Sequence, residues 1–393
     1  MSIRHTFVIL IIGVVSFRST PSLAEDRIWL DATINDKPVH LAFDSGSTGA
    51  ALCPQTVQKL GLKFIPSPTN ALWHGFLAGN TEDCNLTFEG RKMWTSFLVL
   101  DVPAFVEQDV DFDGLIGWYH MSRSTGWFHV SRNILRIDAV ANKVESLSKV
   151  PTDTAQWARF SVLTNFGVLD LLIPHGDHSN GVVCIDTGWP GGFALNAQEY
   201  REWKEAHPQS PRTLETNFDP EDGFYVTEEA WADQISIGPT ILTGVPISVA
   251  GRGGTNRYGA QYEGTIGMAA LKRLNLIVDS TKGVAYLRAR TTPPPAYNHN
   301  HLGAIFSNTT THTNQAVAWV VHDSPAYEAG VRNGDILLQV DEITIRGWTD
   351  DWRSRFYMPA GTKLKLTLQR DGKIFTTTAT LREILQPSPS ENK

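Results

Sequence analysis

A short sequence pattern occurs twice in this chain and constrains its fold more than any other feature. In each copy an apolar run ends in an aspartate that is followed by Ser-Gly or Thr-Gly, at Asp44 and at Asp186. At a similar distance beyond each aspartate comes an Ile-Gly pair, which ends at Gly117 and at Gly267. Short apolar runs bounded by glycine, proline or asparagine are typical of strands, and a recurring pattern indicates a structural repeat. The pattern therefore predicts two related β units, each with an aspartate at the end of a strand.

The composition supports a folded, mostly β chain. Hydrophobic residues make up 41% of the 393 residues and charged residues 19%, which excludes wholesale disorder. The 41 acidic residues outnumber the 34 Lys and Arg residues, so the net charge is −7. Because nucleic-acid binders usually carry a basic surface, no nucleic-acid partner is expected. Long amphipathic helices are scarce. No cofactor is expected.

The first 24 residues have the pattern of a secretory signal peptide. A positively charged start precedes an apolar run over residues 7–17, and small residues lead up to Ala24. Cleavage is expected near Ala24, which predicts that the mature protein is periplasmic or secreted. The apolar run is too short to span a bilayer, so no stable membrane insertion is expected after cleavage.

The chain has three cysteines, so at least one is unpaired. Cys53 and Cys84 lie in one segment and could form a disulfide. Two separate thiols are the equal alternative, because the sequence does not give the geometry that a disulfide needs. Cys184 lies in the apolar run 182–185 and is expected to be a buried thiol.

Two polar stretches divide the chain into regions. Residues 142–154 are polar and contain Pro151, and residues 291–300 read TTPPPAYNHN, a composition typical of a linker. The predicted organisation is a signal peptide at 1–24, a first half at 25–148, a second half at 155–290, a linker at 291–299, a third domain at 300–385 and a disordered tail at 386–393.

Two carboxyl groups at the ends of facing strands can carry out acid–base chemistry. A glycine lets the backbone turn sharply after each aspartate, and the Ser or Thr hydroxyl can hold the neighbouring loop. Carboxyl groups that lie close together cannot both ionise easily, so they share a proton. One then acts as general base on a water while the other polarises a carbonyl. The repeat thus predicts peptide-bond hydrolysis with Asp44 and Asp186 as the catalytic residues.

Several segments resemble clan AA aspartic proteases, especially the retropepsin-like type. They are residues 43–53, 57–62 and 263–287. The resemblance implies a closed β-barrel in each half, with Asp44 and Asp186 as the dyad. It assigns support of the active-site loops to Ser45, Gly46, Ser47, Thr187 and Gly188. Because both halves lie in one chain, a monomer could form the dyad, and pairing of the halves between two chains is the alternative.

The second copy departs from that family at Trp189, where the family usually has a small residue. The Ser47 hydroxyl can orient Asp44. Trp189 offers no hydroxyl to Asp186. Trp189 could narrow the cleft, fill a substrate pocket or mark an imperfectly placed Asp186, and the sequence leaves these alternatives open.

Residues 300–385 resemble a PDZ domain of the bacterial type. The segments 323–326, 329–331 and 334–341 have that family's spacing of a turn, a short helix, a Gly-Asp turn and a strand. The resemblance implies that a peptide adds to the sheet as a strand, with its C-terminal carboxylate held by backbone N–H groups. A groove that is closed or that serves as an internal docking surface is the alternative. The resemblance assigns the binding loop to Leu302, Gly303, Ala304 and Ile305.

The histidines are not expected to bind a metal. His175 and His178 lie in a turn rich in proline, glycine and asparagine, and His299 and His301 lie in and beside the predicted linker. A zinc site needs three or four ligands, so solvated turns are expected instead.

Together these features predict an exported aspartic endopeptidase with a PDZ domain. The expected partners are a protein or peptide substrate and, at the PDZ domain, a peptide C-terminus or a partner protein. The alternative is a catalytically inactive peptide-binding or scaffold protein that uses the PDZ groove.

Overall fold

The computed structural model describes most of the chain, and its regular structure is mainly strand. The described residues are 17–18, 27–67, 77–88, 91–101, 112–122, 133–163, 167–175, 179–219, 223–250, 261–307, 315–345 and 351–385. Within them the strands form three sheets, of thirteen, nine and six strands. The prediction of a mostly β fold is confirmed.

The first unit, residues 27–150, consists of short strands with two helices, and one two-residue strand precedes it. The strands are β1 (Phe17–Arg18), β2 (Trp29–Ile34), β3 (Lys37–Asp44), β4 (Ala50–Leu52), β5 (Phe64–Pro66), β6 (Leu77–Thr81), β7 (Cys84–Phe88), β8 (Arg91–Thr95), β9 (Leu98–Leu100), β10 (Gly114–Gly117), β11 (Ile134–Asp138) and β12 (Lys143–Leu147). The helices are α1 (Pro54–Leu60) and α2 (Trp118–Ser122). Helix α1 begins at Pro54, and proline is favoured in the first turn of a helix. It ends before Gly61, whose left-handed φ of 67° is a conformation that glycine adopts readily after a helix.

The second unit, residues 151–290, has longer strands. They are β13 (Ala158–Leu163), β14 (Leu169–Pro174), β15 (Asn180–Ile185), β16 (Phe193–Leu195), β17 (Arg212–Asp219), β18 (Gly223–Ile237), β19 (Thr240–Val249), β20 (Gln261–Ile266), β21 (Leu274–Asp279) and β22 (Val284–Ala289). The helices are α3 (Ala197–Ala206) and α4 (Met268–Leu271), with a 3-10 helix at Thr152–Gln156. The side chain of Asn196 caps α3 by accepting from the N–H groups of Gln198 and Glu199.

The third unit, residues 300–385, is built on the six-stranded sheet. Its strands are β23 (Ala304–Ser307), β24 (Ala316–Val320), β25 (Ile336–Val340), β26 (Ile343–Thr344), β27 (Lys363–Arg370) and β28 (Lys373–Thr380). A short helix, α5 (Pro325–Glu328), and a 3-10 helix at Asp351–Tyr357 pack with it. The sheet order is β23-β24-β25-β27-β28, with β26 paired to β25, so β23 is an edge strand.

The two larger sheets are open, so the prediction of closed barrels is wrong. The nine-stranded sheet has the order β5-β6-β9-β4-β10-β3-β2-β7-β8. The thirteen-stranded sheet has the order β1-β17-β18-β19-β16-β20-β15-β14-β13-β22-β21-β11-β12. In the described part of the chain, the end strands of neither sheet pair with each other.

Hydrogen bonding joins the first two units instead of closing each one. Strand β11 of the first unit pairs antiparallel with β21 of the second, with Leu135 opposite Val278. Pairing satisfies backbone groups that an exposed sheet edge would leave to solvent. An ion pair of 2.6 Å between Arg290 Nη2 and Asp138 Oδ1 also crosses this junction. The units therefore share one continuous sheet.

Most buried apolar side chains fall into two clusters. One runs through both of the first two units, between residues 28 and 287, and the other lies within residues 302–381. Among the residues with described placement, no helix is long and apolar enough to cross a membrane.

Cys53, Cys84 and Cys184 are buried thiols and form no disulfide in the described structure. The predicted signal peptide lies outside the described residues except for β1, which pairs with β17. His178 and the tail 386–393 also lie outside them.

We expect the junction between the units to contribute strongly to stability. Leu135 is fully buried at this junction, so Leu135→Ala should lower the free energy of unfolding by about 2–5 kcal/mol through lost burial and a cavity. Urea denaturation measures the change. Val140→Ala is the control, because Val140 is exposed. Equal effects of the two substitutions would contradict a shared core at β11.

Candidate active site

Each predicted catalytic aspartate lies where a strand ends beside a parallel neighbour. Strand β3 ends at Asp44 and runs parallel to β10, with Gly117 opposite Asp44. Strand β15 ends directly before Asp186 and runs parallel to β20, with Ile266 opposite Ile185. The two copies of the sequence pattern therefore build the same local arrangement.

The glycine of each Ile-Gly pair lies against the loop that follows an aspartate. A Cβ at Gly117 would overlap the carbonyl oxygen of Gly49. A Cβ at Gly267 would lie 2.5 Å from the carbonyl oxygen of Gly191. The Ile-Gly pair therefore permits a close backbone approach, which holds each loop against its sheet.

Backbone N–H groups of each loop orient the aspartate side chains. Asp44 Oδ1 accepts a hydrogen bond of 2.9 Å from Gly46 N. Asp186 Oδ1 accepts from Gly188 N at 2.9 Å and from Trp189 N at 3.1 Å. These donors fix one oxygen of each carboxyl group and favour its ionised form.

The two loops face each other through their glycines. A Cβ at Gly46 would lie 2.5 Å from Asp186 Cγ. A Cβ at Gly188 would lie 2.5 Å from Asp44 Cγ. Each glycine is thus packed on the carboxyl group of the other loop, and only glycine leaves room for it.

Two hydroxyl groups tie the loops together by a symmetric set of hydrogen bonds. Ser45 Oγ donates to the carbonyl of Ile185 at 2.6 Å and accepts from Thr187 N at 3.1 Å. Thr187 Oγ1 donates to the carbonyl of Phe43 at 2.8 Å and accepts from Ser45 N at 2.9 Å. All four bonds join the first unit to the second, so they hold the two aspartates at a fixed separation.

Burial raises the pKa of both aspartates. Asp44 is 1% exposed and Asp186 is 2% exposed. For Asp44, burial raises the pKa more than the Asp186 carboxyl and the N–H groups of the loop lower it. For Asp186, burial and the charge of Asp44 both raise the pKa. Asp44 Oδ2 is buried and receives no hydrogen bond from any described protein donor, and a proton shared with Asp186 would supply one.

Backbone groups take the orienting role that the sequence suggested for a hydroxyl. The Ser47 hydroxyl contacts neighbouring loop backbone at 3.4 Å, and the Ser47 N–H faces Asp44. Trp189 supplies the matching N–H to Asp186. Its side chain is buried, with the indole against Gly267. Asp186 therefore has the same type of backbone donors as Asp44 without a hydroxyl residue at position 189.

Comparison with protein families matches two parts of the chain. Residues 30–119 match the family described as aspartyl protease, and residues 317–370 match the family described as PDZ domain. The chain contains an aspartyl protease domain and a PDZ domain. The aspartyl protease match includes Asp44 and ends before Asp186, so the family of the second unit stays a prediction.

Comparisons with whole proteins add little to this assignment. A search of curated proteins finds no match. Among solved structures, the chain is similar to the crystal structure of basic 7S globulin from soybean, with 10% sequence identity and a TM-score of 0.37. That alignment covers 70% of this chain and 94% of the soybean chain.

The predicted peptide-binding loop of the PDZ domain is buried, and two of its N–H groups have a partner within the chain. Leu302 N and Gly303 N donate to Asn300 Oδ1 at 2.9 and 3.1 Å. Ala304 and Ile305 begin β23, and all four residues of that strand are buried. In this conformation an asparagine oxygen occupies N–H groups that the resemblance assigns to a ligand carboxylate.

Asn300 also connects the PDZ domain to strand β17 of the second unit. Its Nδ2 donates to the carbonyl of Leu214 at 3.0 Å, and its own carbonyl accepts from Thr213 Oγ1 at 2.8 Å. Beside it, Tyr357 Oη donates to Glu215 Oε2 at 2.6 Å. The loop side of the PDZ domain is thus hydrogen-bonded to the second unit in this structure.

Neither the role of Asn300 nor the burial of two histidines was predicted from the sequence. His299 and His301 are buried, so the prediction that they lie in a solvated turn is wrong. The physical reason is that the PDZ domain and β17 cover this segment, which the composition of the segment does not reveal. The signal available in the sequence was the run of three polar residues at 299–301, directly before the Leu302-Gly303 loop. His175, in contrast, is exposed as predicted.

We expect a side chain at Gly46 to disturb the paired loops. Gly46→Ala should lower the free energy of unfolding by about 1–3 kcal/mol, because the added methyl group overlaps the Asp186 carboxyl. Gly49→Ala is the matched control in the same loop, since its methyl group would meet only Leu98 Cδ1 at 3.8 Å. Urea denaturation at one pH compares them, and equal stability of both variants would contradict the reciprocal packing.

Proposed function

We propose that the protein is an aspartic endopeptidase whose catalytic dyad is Asp44 and Asp186. The observation that carries this proposal is the reciprocal packing of the two loops, in which each glycine lies against the carboxyl group of the other loop. The raised pKa of both buried aspartates supports it, because a dyad has to retain one proton in order to work.

In the proposed mechanism the dyad holds one proton and one water molecule. The ionised carboxylate removes a proton from the water, and the water oxygen attacks the carbonyl carbon of the scissile peptide bond. The protonated carboxyl donates to the carbonyl oxygen, where negative charge develops. The tetrahedral intermediate then collapses, the C–N bond breaks, and the leaving nitrogen receives a proton from the dyad. One proton remains on the dyad at the end of the cycle.

We propose that one chain supplies the whole dyad and that the protein is exported. The hydrogen bonds between Ser45 and Thr187 and the pairing of β11 with β21 lie within one chain, which supports a dyad built from a single chain. The pattern of the first 24 residues supports export to a periplasm or to the medium.

Substitution of either aspartate should abolish peptide hydrolysis. We expect Asp44→Asn and Asp186→Asn each to lower cleavage of a denatured protein mixture by at least about 10³-fold, because neither variant can share a proton between two carboxyl groups. Asp153→Asn is the control, since Asp153 is exposed. Peptide products quantified by mass spectrometry between pH 3 and pH 8 give the rates. Full activity in either dyad variant would exclude the proposed mechanism, and an inactive but folded wild type would favour the peptide-binding alternative.

The same variants should change how stability depends on pH. A carboxyl group whose pKa is raised by folding stabilises the protein below its unfolded pKa of about 4 and loses this contribution as pH rises through the folded pKa. We therefore expect wild-type stability to decline toward neutral pH relative to Asp186→Asn, whose neutral amide cannot ionise. Thermal unfolding of both proteins from pH 4 to pH 8 measures the difference. Parallel curves would show that the pKa of Asp186 is not raised.

We also propose that the PDZ domain binds an extended peptide after it leaves its docked position. Strand β23 is the edge of its sheet, and an edge strand can accept an added strand. The bonds to Asn300 Oδ1 compete with a peptide carboxylate for the same N–H groups. Docking on β17 and peptide binding would therefore exclude each other.

Removal of the Asn300 side chain should strengthen the binding of a peptide to the PDZ domain. In Asn300→Ala we expect peptides with an apolar, free C-terminus to bind at least severalfold more tightly than to the wild type, because two loop N–H groups are released. C-terminally amidated peptides should not gain affinity. Asn333→Ala is the matched control, since Asn333 Oδ1 accepts from Val320 N elsewhere in the same domain. Fluorescence anisotropy measures binding, and equal affinities in all three proteins would contradict the competition.

A further inference from the structure

A cluster of three polar side chains lies where the chain enters and leaves the PDZ domain. His299 and His301 directly precede the loop 302–305, and Glu383 follows strand β28. His299 Nε2 lies 2.9 Å from Glu383 Oε1, and His301 Nε2 lies 3.6 Å from Glu383 Oε2. One ligand atom from each of the three residues lies within 4.8 Å of the other two. Small shifts would place all three ligand atoms about 2.0–2.2 Å from one shared zinc ion, the distance that zinc coordination requires.

Backbone carbonyl groups orient both imidazole rings. His299 Nδ1 lies 3.3 Å from the carbonyl oxygen of Tyr297, and His301 Nδ1 lies 2.7 Å from that of Met358. A carbonyl oxygen can only accept, so each Nδ1 carries a proton, and in a neutral ring each Nε2 then directs a lone pair toward Glu383. Histidine ligands of metals are usually fixed by this kind of outer hydrogen bond.

The contact between His299 and Glu383 requires a positive charge. The N–H groups of Ile384 and Leu385 both lie 3.2 Å from His299 Nε2, which agrees with a lone pair at that atom. A lone pair and a carboxylate oxygen at 2.9 Å repel each other unless a proton or a cation lies between them. His299 is fully buried, and the low dielectric of the interior strengthens this repulsion.

We propose that His299, His301 and Glu383 bind a divalent transition-metal ion of the zinc type. Two imidazoles and one carboxylate are ligands that zinc prefers, and a water molecule would complete a four-coordinate site. The side chain of Glu383 is 36% exposed, so an ion can enter from its side. The two long hydrogen bonds from residues 384 and 385 are released when the ion occupies Nε2.

The ion would hold the C-terminal segment against the peptide-binding loop. Arg382 N donates to the carbonyl of His301 at 3.3 Å, and a Cβ at Gly303 would lie 3.2 Å from Ile384 Cδ1. Because His299 and His301 precede the loop and Glu383 belongs to the segment beside it, a shared ion would stabilise the docked conformation. The inference is independent of the proposed protease activity.

Zinc binding to the full chain tests the proposal directly. The protein is prepared without a polyhistidine tag, and ZnCl₂ binding is measured by equilibrium dialysis and by thermal unfolding. We expect about one zinc per wild-type chain and a higher Tm with zinc. His301→Gln and Glu383→Gln should each weaken binding by at least about tenfold and remove the Tm increase, because each lacks one ligand. These two positions are chosen because replacement of the fully buried His299 is more disruptive.

His322→Gln is the matched control, since His322 is an exposed histidine that pairs with Asp323 in the same domain. It should bind zinc as the wild type does. Zinc binding that is equal in all four proteins, or absent from the wild type, would overturn the proposal.

The competing occupant of the cluster is a proton. Burial lowers the pKa of His301, but Glu383 and the Met358 carbonyl outweigh it and raise the pKa overall. If a proton is the resident charge, the wild type binds no zinc, and its Tm falls as pH rises through the histidine range, whereas Glu383→Gln shows a smaller fall. That result would also overturn the metal site.

Discussion

The crossed hydrogen bonds between Ser45 and Thr187 are the constraint on which the centre of this molecule depends. They are buried, and each hydroxyl both donates to and accepts from the opposite unit. Loss of one hydroxyl would remove the acceptor of a buried N–H and a donor to a buried carbonyl, and unsatisfied buried polar groups cost more than the net gain of an ordinary hydrogen bond. The bonds therefore define the separation of the two loops, and the position of both aspartates follows from that separation.

The same constraint explains the chemistry that we propose. Two carboxyl groups held together in a buried site do not ionise easily together, so the fold favours the shared proton that the proposed mechanism needs. Glycine at positions 46 and 188 permits the close approach, and backbone N–H groups limit the rise in pKa. Trp189 does not disturb this arrangement, because the contribution of position 189 to Asp186 is a backbone N–H.

The PDZ domain is hydrogen-bonded to strand β17 of the second unit. The polar groups that a peptide would use are satisfied within the chain, and Tyr357 and Glu215 add a buried hydrogen bond to the contact. Strand β17 forms a hairpin with β18 in the same unit as Asp186. A change in the docking of the PDZ domain would therefore act on the unit that supplies half of the proposed dyad.

The sequence by itself determined the mostly β fold, the aspartyl protease and PDZ domains and the two aspartates at strand ends. These features depend on local patterns, such as an apolar run followed by Asp-Xaa-Gly, which favour the same backbone in any context. The tertiary structure decided the open sheets, because β11 pairs with β21 across the two units. It also decided the burial of Asn300, His299 and His301, because distant segments cover a stretch whose own composition is typical of a linker. Contacts between residues far apart in the chain leave no periodic signal in the sequence, so only the assembled fold could show them.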